Sequence, residues 1–263
     1  QQLSVGHSLL ALTIFGDANL NLIGDLGVQP DFEFNQGYLS NGNHLLELID
    51  ARGLSANLHL DYTSHVGNEG NSRGENLVEV FGARGENDLF LNADGTATNC
   101  NVLIANQIPG QADDFVITGF GDDTIVTDGG DDFVDSFGGD NSISTETGND
   151  VVWTGLGDDT INTGIGDDDV YSSGGDNLID LGPGNDEAYT GDGDDTVFGR
   201  SGDNTICVDN GNNSVVAENG NNEIGAGSDA DTISVGDGDN TINAGDGNNS
   251  VTAVGDGNNL INA

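Results

Sequence analysis

The chain has no lysine and no methionine, and its 263 residues include four arginines, three prolines, two cysteines and one tryptophan. Each shortage closes something off. Phosphate backbones and anionic lipid surfaces are gripped by Lys and Arg in number, so nucleic acid and acidic membranes are excluded as partners. Cys100 and Cys207 are too few for a disulfide framework and lie far apart in the chain, so free or intermolecular thiols are expected. No run of about 18 apolar residues exists, so no membrane insertion is expected. A Gly-x-Ser-x-Gly elbow, a His-Glu-x-x-His helix and a phosphate loop are all missing, and no enzymatic activity is expected.

Acid is what the chain has in excess. Asp and Glu number 46 against 4 basic residues, a formal net charge of -42. A compact fold holds that charge only in a halophilic solvent or with bound multivalent metal; otherwise it is disordered. Disorder fits poorly with 34% hydrophobic residues whose Val, Ile and Leu recur at fixed intervals. A halophilic surface would spread mixed acids, whereas Glu is scarce here and Asp clusters beside Gly. Bound metal is therefore the leading reading. The chain opens on Gln1 rather than Met, as a mature secreted chain would and as an arbitrary boundary also would, and an extracellular location is expected.

From Gly119 to Ala253 the sequence divides without a gap into fifteen nine-residue units, and a sixteenth, Gly255 to Ala263, follows the inserted Val254. GLGDDTINT, residues 155 to 163, is representative. Column three is Gly in every unit except at Asp229, columns four and five are Asp or Asn almost throughout, and column seven is Ile or Val except at Ala188. A fixed short period marks a solenoid. A brief strand carrying one apolar residue, then a Gly-Asp turn, sends column seven inward, where each Ile or Val contributes about 1.5 to 3 kcal/mol on full burial. Successive units then alternate between two parallel sheets, two units making a turn that rises about 4.8 Å. The expected fold is all-β, a parallel β-roll preceded by an irregular β-rich region.

The acidic columns run up the two edges of such a roll. Column five of the odd units alternates: Asp123, Asn141, Asp159, Asn177, Asp195, Asn213, Asp231, Asn249. Column five of the even units changes once, from Asp132, Asp150, Asp168 and Asp186 to Asn204, Asn222, Asn240 and Asn259. Column four adds Asp122, Asp140, Asp158, Asp176 and Asp194 on the odd edge, and Asp131, Asp167 and Asp203 alternating with Asn on the even edge. Two carboxylates about 4.8 Å apart repel by roughly 3.5 kcal/mol at an effective dielectric near 20. Such ladders call for cations, and oxygen-only ligands in Gly-rich turns suit several Ca²⁺ ions rather than zinc. The carboxylates of all sixteen Asp residues named here are candidate ligands, with the first half of the roll binding more tightly than the last.

These units resemble the hemolysin-type calcium-binding repeats of secreted RTX proteins, whose nonapeptide G-G-x-G-x-D-x-U-x is similar to GLGDDTINT and GDGDDTVFG. The resemblance covers residues 119 to 263. It implies a parallel β-roll with Ca²⁺ held between adjacent turns by column-five carboxylates and Gly-turn carbonyls. Two departures stand out: the first glycine of the family's pair is mostly Thr, Ser or Ala here, and column five is often Asn.

Column eight faces outward, and on even units it stacks Trp153, Tyr171 and Tyr189 at 18-residue spacing. This ladder is either covered by the protein itself or is a contact surface for carbohydrate or another subunit. Residues 1 to 74 read as β-rich, and residues 75 to 118 as irregular coils leading into the roll. His59, Asp61 and His65 read as dispersed surface residues rather than a metal cluster. Near the start, Leu3, Val5, Leu9 and Phe15 with Leu10, Leu12 and Ile14 make a strand apolar on both faces. It is either the first strand of its own domain or a strand donated to a neighbouring subunit. Repeats that run on to Ala263 without a cap favour head-to-tail association into a homo-oligomer or filament. Three functions remain open: a secreted structural subunit of an extracellular fibre or surface layer, a secreted adhesin or glycan-binding module, and the calcium module of a secreted hydrolase.

Overall fold

The structure is a computed structural model, and it describes residues 11–16, 20–25, 32–33, 38–39, 48–54, 58–63, 77–81, 87–91, 99–103 and 113–262, with side chains for Leu89 and residues 113–262. All regular structure among these residues is β-strand. The fold is the expected parallel β-solenoid, and it forms two compact units, residues 1–138 and 139–263.

In the first unit two parallel ladders wind together. One pairs Ala11–Gly16 with Leu48–Leu54, then Leu77–Phe81, Asn99–Leu103 and Thr124–Val126. The other pairs Leu20–Asp25 with Leu58–Thr63, Asn87–Leu91, Phe115–Thr118 and Phe133–Gly138. A short antiparallel pair, Phe32–Glu33 with Tyr38–Leu39, lies outside both. The β character expected before residue 119 is thus present, and it already has solenoid winding. Leu12, Ile14 and Phe15 belong to a strand paired within its own chain, while Leu3, Val5, Leu9 and Leu10 lie outside the described residues.

The second unit is regular. Odd-unit strands stack from Ser142–Ser144 through Thr160–Asn162, Leu178–Asp180, Thr196–Ser201, Ser214–Asn219 and Thr232–Val235 to Ser250–Ala253. Even-unit strands stack from Val151–Leu156 through Asp169–Tyr171, Glu187–Tyr189, Thr205–Cys207, Glu223–Gly225 and Thr241–Asn243 to Leu260–Asn262. Registers fall 18 residues apart, as in Ile161 beside Ile179, until the inserted Val254 makes the last step 19, Ile242 beside Ile261.

Column seven is the core, as its hydrophobicity requires. Ile143, Val152, Ile161, Val170, Ile179, Val197, Ile206, Val215, Ile224, Ile233 and Ile242 are all buried. Column nine is a second inward column that the repeat pattern had not singled out. Thr145, Thr154, Thr163, Ser172, Leu181 and Thr190 are buried, and so are Val208, Ala217, Ala226, Val235 and Ala244. Column nine lies two residues beyond column seven, and side chains two apart share one face of a strand. That is why Thr, Ser or Ala replaces the first glycine of the family pattern: the position fills core rather than turn.

Column three makes the turn. Gly175 has φ +118°, and a Cβ there would lie 2.0 Å from the Gly157 carbonyl oxygen of the preceding turn. The one exception, Asp229, adopts φ 87°, a conformation that Asp tolerates better than most residues. Replacing Gly175 by Ala should therefore lower the unfolding free energy by about 2 kcal/mol or more, from strained backbone plus a clash with a neighbouring turn. Asp229→Gly should change it by less than about 1 kcal/mol. Urea denaturation of both variants in calcium checks the pair.

Candidate metal centre

Columns four and five both follow the column-three glycine, yet they face opposite ways. Asp123, Asp132, Asp150, Asp159, Asp168, Asp186, Asp195 and Asp231, all in column five, are buried. Asp122, Asp131, Asp140, Asp158, Asp167, Asp176, Asp194 and Asp203, all in column four, are exposed. The sixteen candidate ligands are therefore two sets of eight in different dielectric surroundings.

Each set clamps neighbouring turns through the backbone. In column five the side chain accepts from the turn before: the N–H of Asp150 donates to Asp168 Oδ1 at 2.8 Å, that of Asp168 to Asp186 Oδ1 at 3.0 Å, and that of Asp186 to Asn204 Oδ1 at 2.9 Å. In column four the direction reverses, with Asp158 N–H donating to Asp140 Oδ1 at 2.9 Å and Asp176 N–H to Asp158 Oδ1 at 2.8 Å. Both clamps work equally for Asp and Asn, because Oδ1 is common to them. The N–H of Asp159 donates to Asn177 Oδ1 at 3.0 Å, and that of Asn177 donates to Asp195 Oδ1 at 2.9 Å.

The two residue types differ only in the second atom, and in column five that atom points back into the turn. In most of the Asn residues Nδ2 donates to the carbonyl of the column-three glycine of its own turn, while Asn204 and Asn249 reach the Gly199 and Ala244 carbonyls instead. Asn141 reaches Gly139 at 2.9 Å, Asn177 reaches Gly175 at 3.0 Å, Asn222 reaches Gly220 at 3.1 Å and Asn240 reaches Gly238 at 3.1 Å. Where the residue is Asp, Oδ1 is anchored alike, and the second atom is an oxygen with no hydrogen to give that carbonyl. Oδ2 of Asp159, Asp168, Asp186, Asp195 and Asp231 is buried and has no hydrogen-bond partner. A buried carboxylate oxygen left without a donor needs a cation or a proton.

Burial pushes these carboxyls up in pKa. Desolvation is the leading cause at Asp159, Asp168, Asp195 and Asp231, and it carries Asp132 to about 6. Asp186 is pushed up to about 7, by desolvation first and then by the Asp168, Asp167 and Asp169 charges. Column-nine hydroxyls temper the rise: Thr163 lowers Asp168, and Thr154 and Thr190 lower Asp159 and Asp195 without reaching full hydrogen-bond geometry. At the position corresponding to these threonines, Asp186 has Leu181 instead.

The donor set fits calcium. A hard, all-oxygen site of buried carboxylate and turn carbonyls on a glycine backbone is what Ca²⁺ takes, and no nitrogen or sulfur ligand stands in these columns. Among the described residues no three His, Cys, Asp or Glu side chains converge to hold a metal by themselves, so backbone carbonyls must supply part of any shell. His59 and Asp61 lie in the strand Leu58–Thr63, and His65 lies outside the described residues.

Basic charge is local. Arg200 is the one basic side chain among residues 113–262; its Nε donates to Asp180 at 2.9 Å, its Nη1 reaches Glu218 at 3.5 Å, and its guanidinium covers the Phe198 ring. On the even face Trp153, Tyr171 and Tyr189 are 46%, 38% and 36% exposed. Tyr171 and Tyr189 stack at 5.3 Å and 6°, so each covers a face of the other, and Trp153 meets Tyr171 edge-on at 6.0 Å. Phe133 stacks at 4.8 Å on Phe115 of the preceding turn. Cys207, one rung beyond Tyr189, is a half-buried free thiol.

A carboxyl with a folded pKa above its unfolded value holds more protons folded than unfolded between the two. The cost of ionising it is absent below an unfolded value of about 3.9 and grows as pH rises toward the folded value. The calcium-free protein should therefore melt higher at pH 5 than at pH 7.5, and Asp186→Asn should flatten that slope. Thermal unfolding in EGTA at the two pH values checks both.

The model of the RTX calcium-binding nonapeptide repeat, in four copies, matches residues 109–143, 135–170, 171–206, 208–234 and 225–261, together more than half of the chain. No curated protein and no solved structure matches it. Glycine turns, buried column-five carboxylates and two parallel ladders in 18-residue register agree with that match, and the chain belongs to the family of RTX calcium-binding repeat proteins.

Proposed function

We propose that this protein is a secreted structural solenoid whose turns are closed by several calcium ions, and that it performs no catalysis. One observation carries the reading. Every buried polar residue among those described stands in column five or column nine of the repeat, or at the equivalent Asp114 and Thr118 of the turn before it. Interior polar chemistry is thus spent on holding turn to turn, and an exposed acidic column on each edge supplies solubility.

The finer proposal is assembly. Each turn presents the same pairing edges 18 residues on, so a turn of one copy is complementary to a turn of another, and heterologous contacts of that kind build fibres or layers. Exchange of Ala11–Gly16 between copies would reuse its pairing with Leu48–Leu54 and is a second route to the same end. Negative-stain microscopy in millimolar calcium should show filaments or sheets that EGTA disperses. Monodisperse particles in calcium would reject the assembly while leaving the calcium-closed solenoid in place.

The exposed Trp153, Tyr171 and Tyr189 ladder favours a second reading as a glycan-binding adhesin. Tyr171 and Tyr189 stack on one another, leaving mainly ring edges and Trp153 for a ligand. Glycan-array binding that Trp153→Ala abolishes by at least about tenfold would support it; unchanged binding, or none, would remove it.

A further inference from the structure

The even edge changes character once. Asp150, Asp168 and Asp186 follow one another in register, the N–H of each donating to the Oδ1 of the residue one turn on, with Oδ2 of Asp168 and Asp186 left buried without a partner. Asn204, Asn222, Asn240 and Asn259 then continue the same ladder, with backbone N–H to Oδ1 distances of 3.1, 3.0 and 3.0 Å. Here the second atom of Asn204, Asn222 and Asn240 is satisfied. Asn222 Nδ2 donates both to Gly220 and, at 2.9 Å, to Asn240 Oδ1. Asn240 repeats this with Gly238 and Asn259, and Asn204 Nδ2 donates to the Gly199 carbonyl.

The core beside the edge changes with it. Counting five residues back from each column-five residue gives the column-nine position of the preceding repeat, or, for Asn259, the inserted Val254. Six of the eight Asp residues have Thr there, at 118, 127, 145, 154, 163 and 190, and none of the eight Asn residues does. From Gly199 onward the position holds Gly, Val or Ala, buried wherever a side chain is described up to Ala244. A core hydroxyl stands beside six of the eight Asp and, as Ser136 and Ser172, beside Asn141 and Asn177, whereas no column-five residue from Asn204 onward has one.

We propose that the step from Asp186 to Asn204 is a boundary between turns that close only around calcium and turns that close themselves, so that the even edge from Asn204 to Asn259 is a metal-free scaffold. The amide hydrogens of Asn222 and Asn240 satisfy the turn glycine carbonyls there, a need that a cation would meet below the boundary. On the odd edge Asp231 is the one carboxylate beyond the boundary, set between Asn213 and Asn249, whose Oδ1 accepts the Asp231 N–H at 2.9 Å. Column five therefore offers at most one calcium position in the upper segment, where the column-four carboxylates of Asp203 and Asp239 are exposed. Calcium loss opens the solenoid from one part of its length and leaves the other standing.

This rests on the calcium reading above, and the test separates the two. Hydrogen exchange of the full chain, followed by mass spectrometry in calcium and in EGTA, reads the turns individually. EGTA should speed exchange in Val151–Leu156, Asp169–Tyr171 and Glu187–Tyr189 by at least about tenfold more than in Thr205–Cys207, Glu223–Gly225 and Thr241–Asn243. Calcium binding by calorimetry with an equal change in both sets overturns the boundary alone. Absence of calcium binding overturns both readings. The reciprocal variant Asn222→Asp should make protection of Thr205–Cys207 and Glu223–Gly225 calcium-dependent while leaving it unchanged in calcium; protection that persists in EGTA would also overturn the boundary.

Discussion

The structure depends on one contact repeated up two edges: a backbone N–H reaching the Oδ1 of an Asp or Asn one turn away. It spans the gap between turns, buries its acceptor, and leaves the other terminal atom of the side chain to find its own partner. Everything distinctive about the chain follows from the identity of that atom. As nitrogen it closes the turn by donating; as oxygen it has no hydrogen to give in a low-dielectric interior, where an unmet polar group costs on the order of 1–3 kcal/mol. A divalent cation would meet that need, and the chain belongs to a family of calcium-binding repeats.

The same geometry explains how a formal charge of -42 coexists with a folded core. Half of the candidate acidic ligands, in column four, never leave solvent. Those inside are separated by amides along the odd edge, where Asn141 Nδ2 donates to Asp159 Oδ1 at 2.9 Å, and are consecutive only along the lower even edge. Asp186 closes that consecutive run without a threonine beside it, and burial pushes its carboxyl up to about 7. Arg200 marks the same stretch on the outside, tying Asp180 to Glu218 as the inner edge passes from carboxylate to amide.

Much of this was legible beforehand, because a nine-residue period leaves few ways to fold. Column seven had to be core: it is the one column that is always aliphatic, and Ile143 through Ile242 are buried as required. Column three had to turn, and its one departure, Asp229, still holds a positive φ. Column nine was passed over, since its Thr, Ser and Ala stand where the family pattern has glycine. The two-residue spacing from column seven was the signal that it points inward. In the region before residue 113 the alternating stretches identified strands, but not that Ala11–Gly16 and Leu20–Asp25 already wind in the two-ladder pattern.

Composition and period by themselves determined a parallel solenoid with acidic edges and a need for cations, because charge density and hydrophobic spacing are properties of the chain read in order. Tertiary structure alone decided which acids carry that need. Columns four and five are neighbours of the same chemical type, and only winding turns one above another sends one column to water and the other inward. Once inward, an amide and a carboxylate of nearly identical shape cease to be equivalent, since a buried glycine carbonyl can accept from one and not from the other.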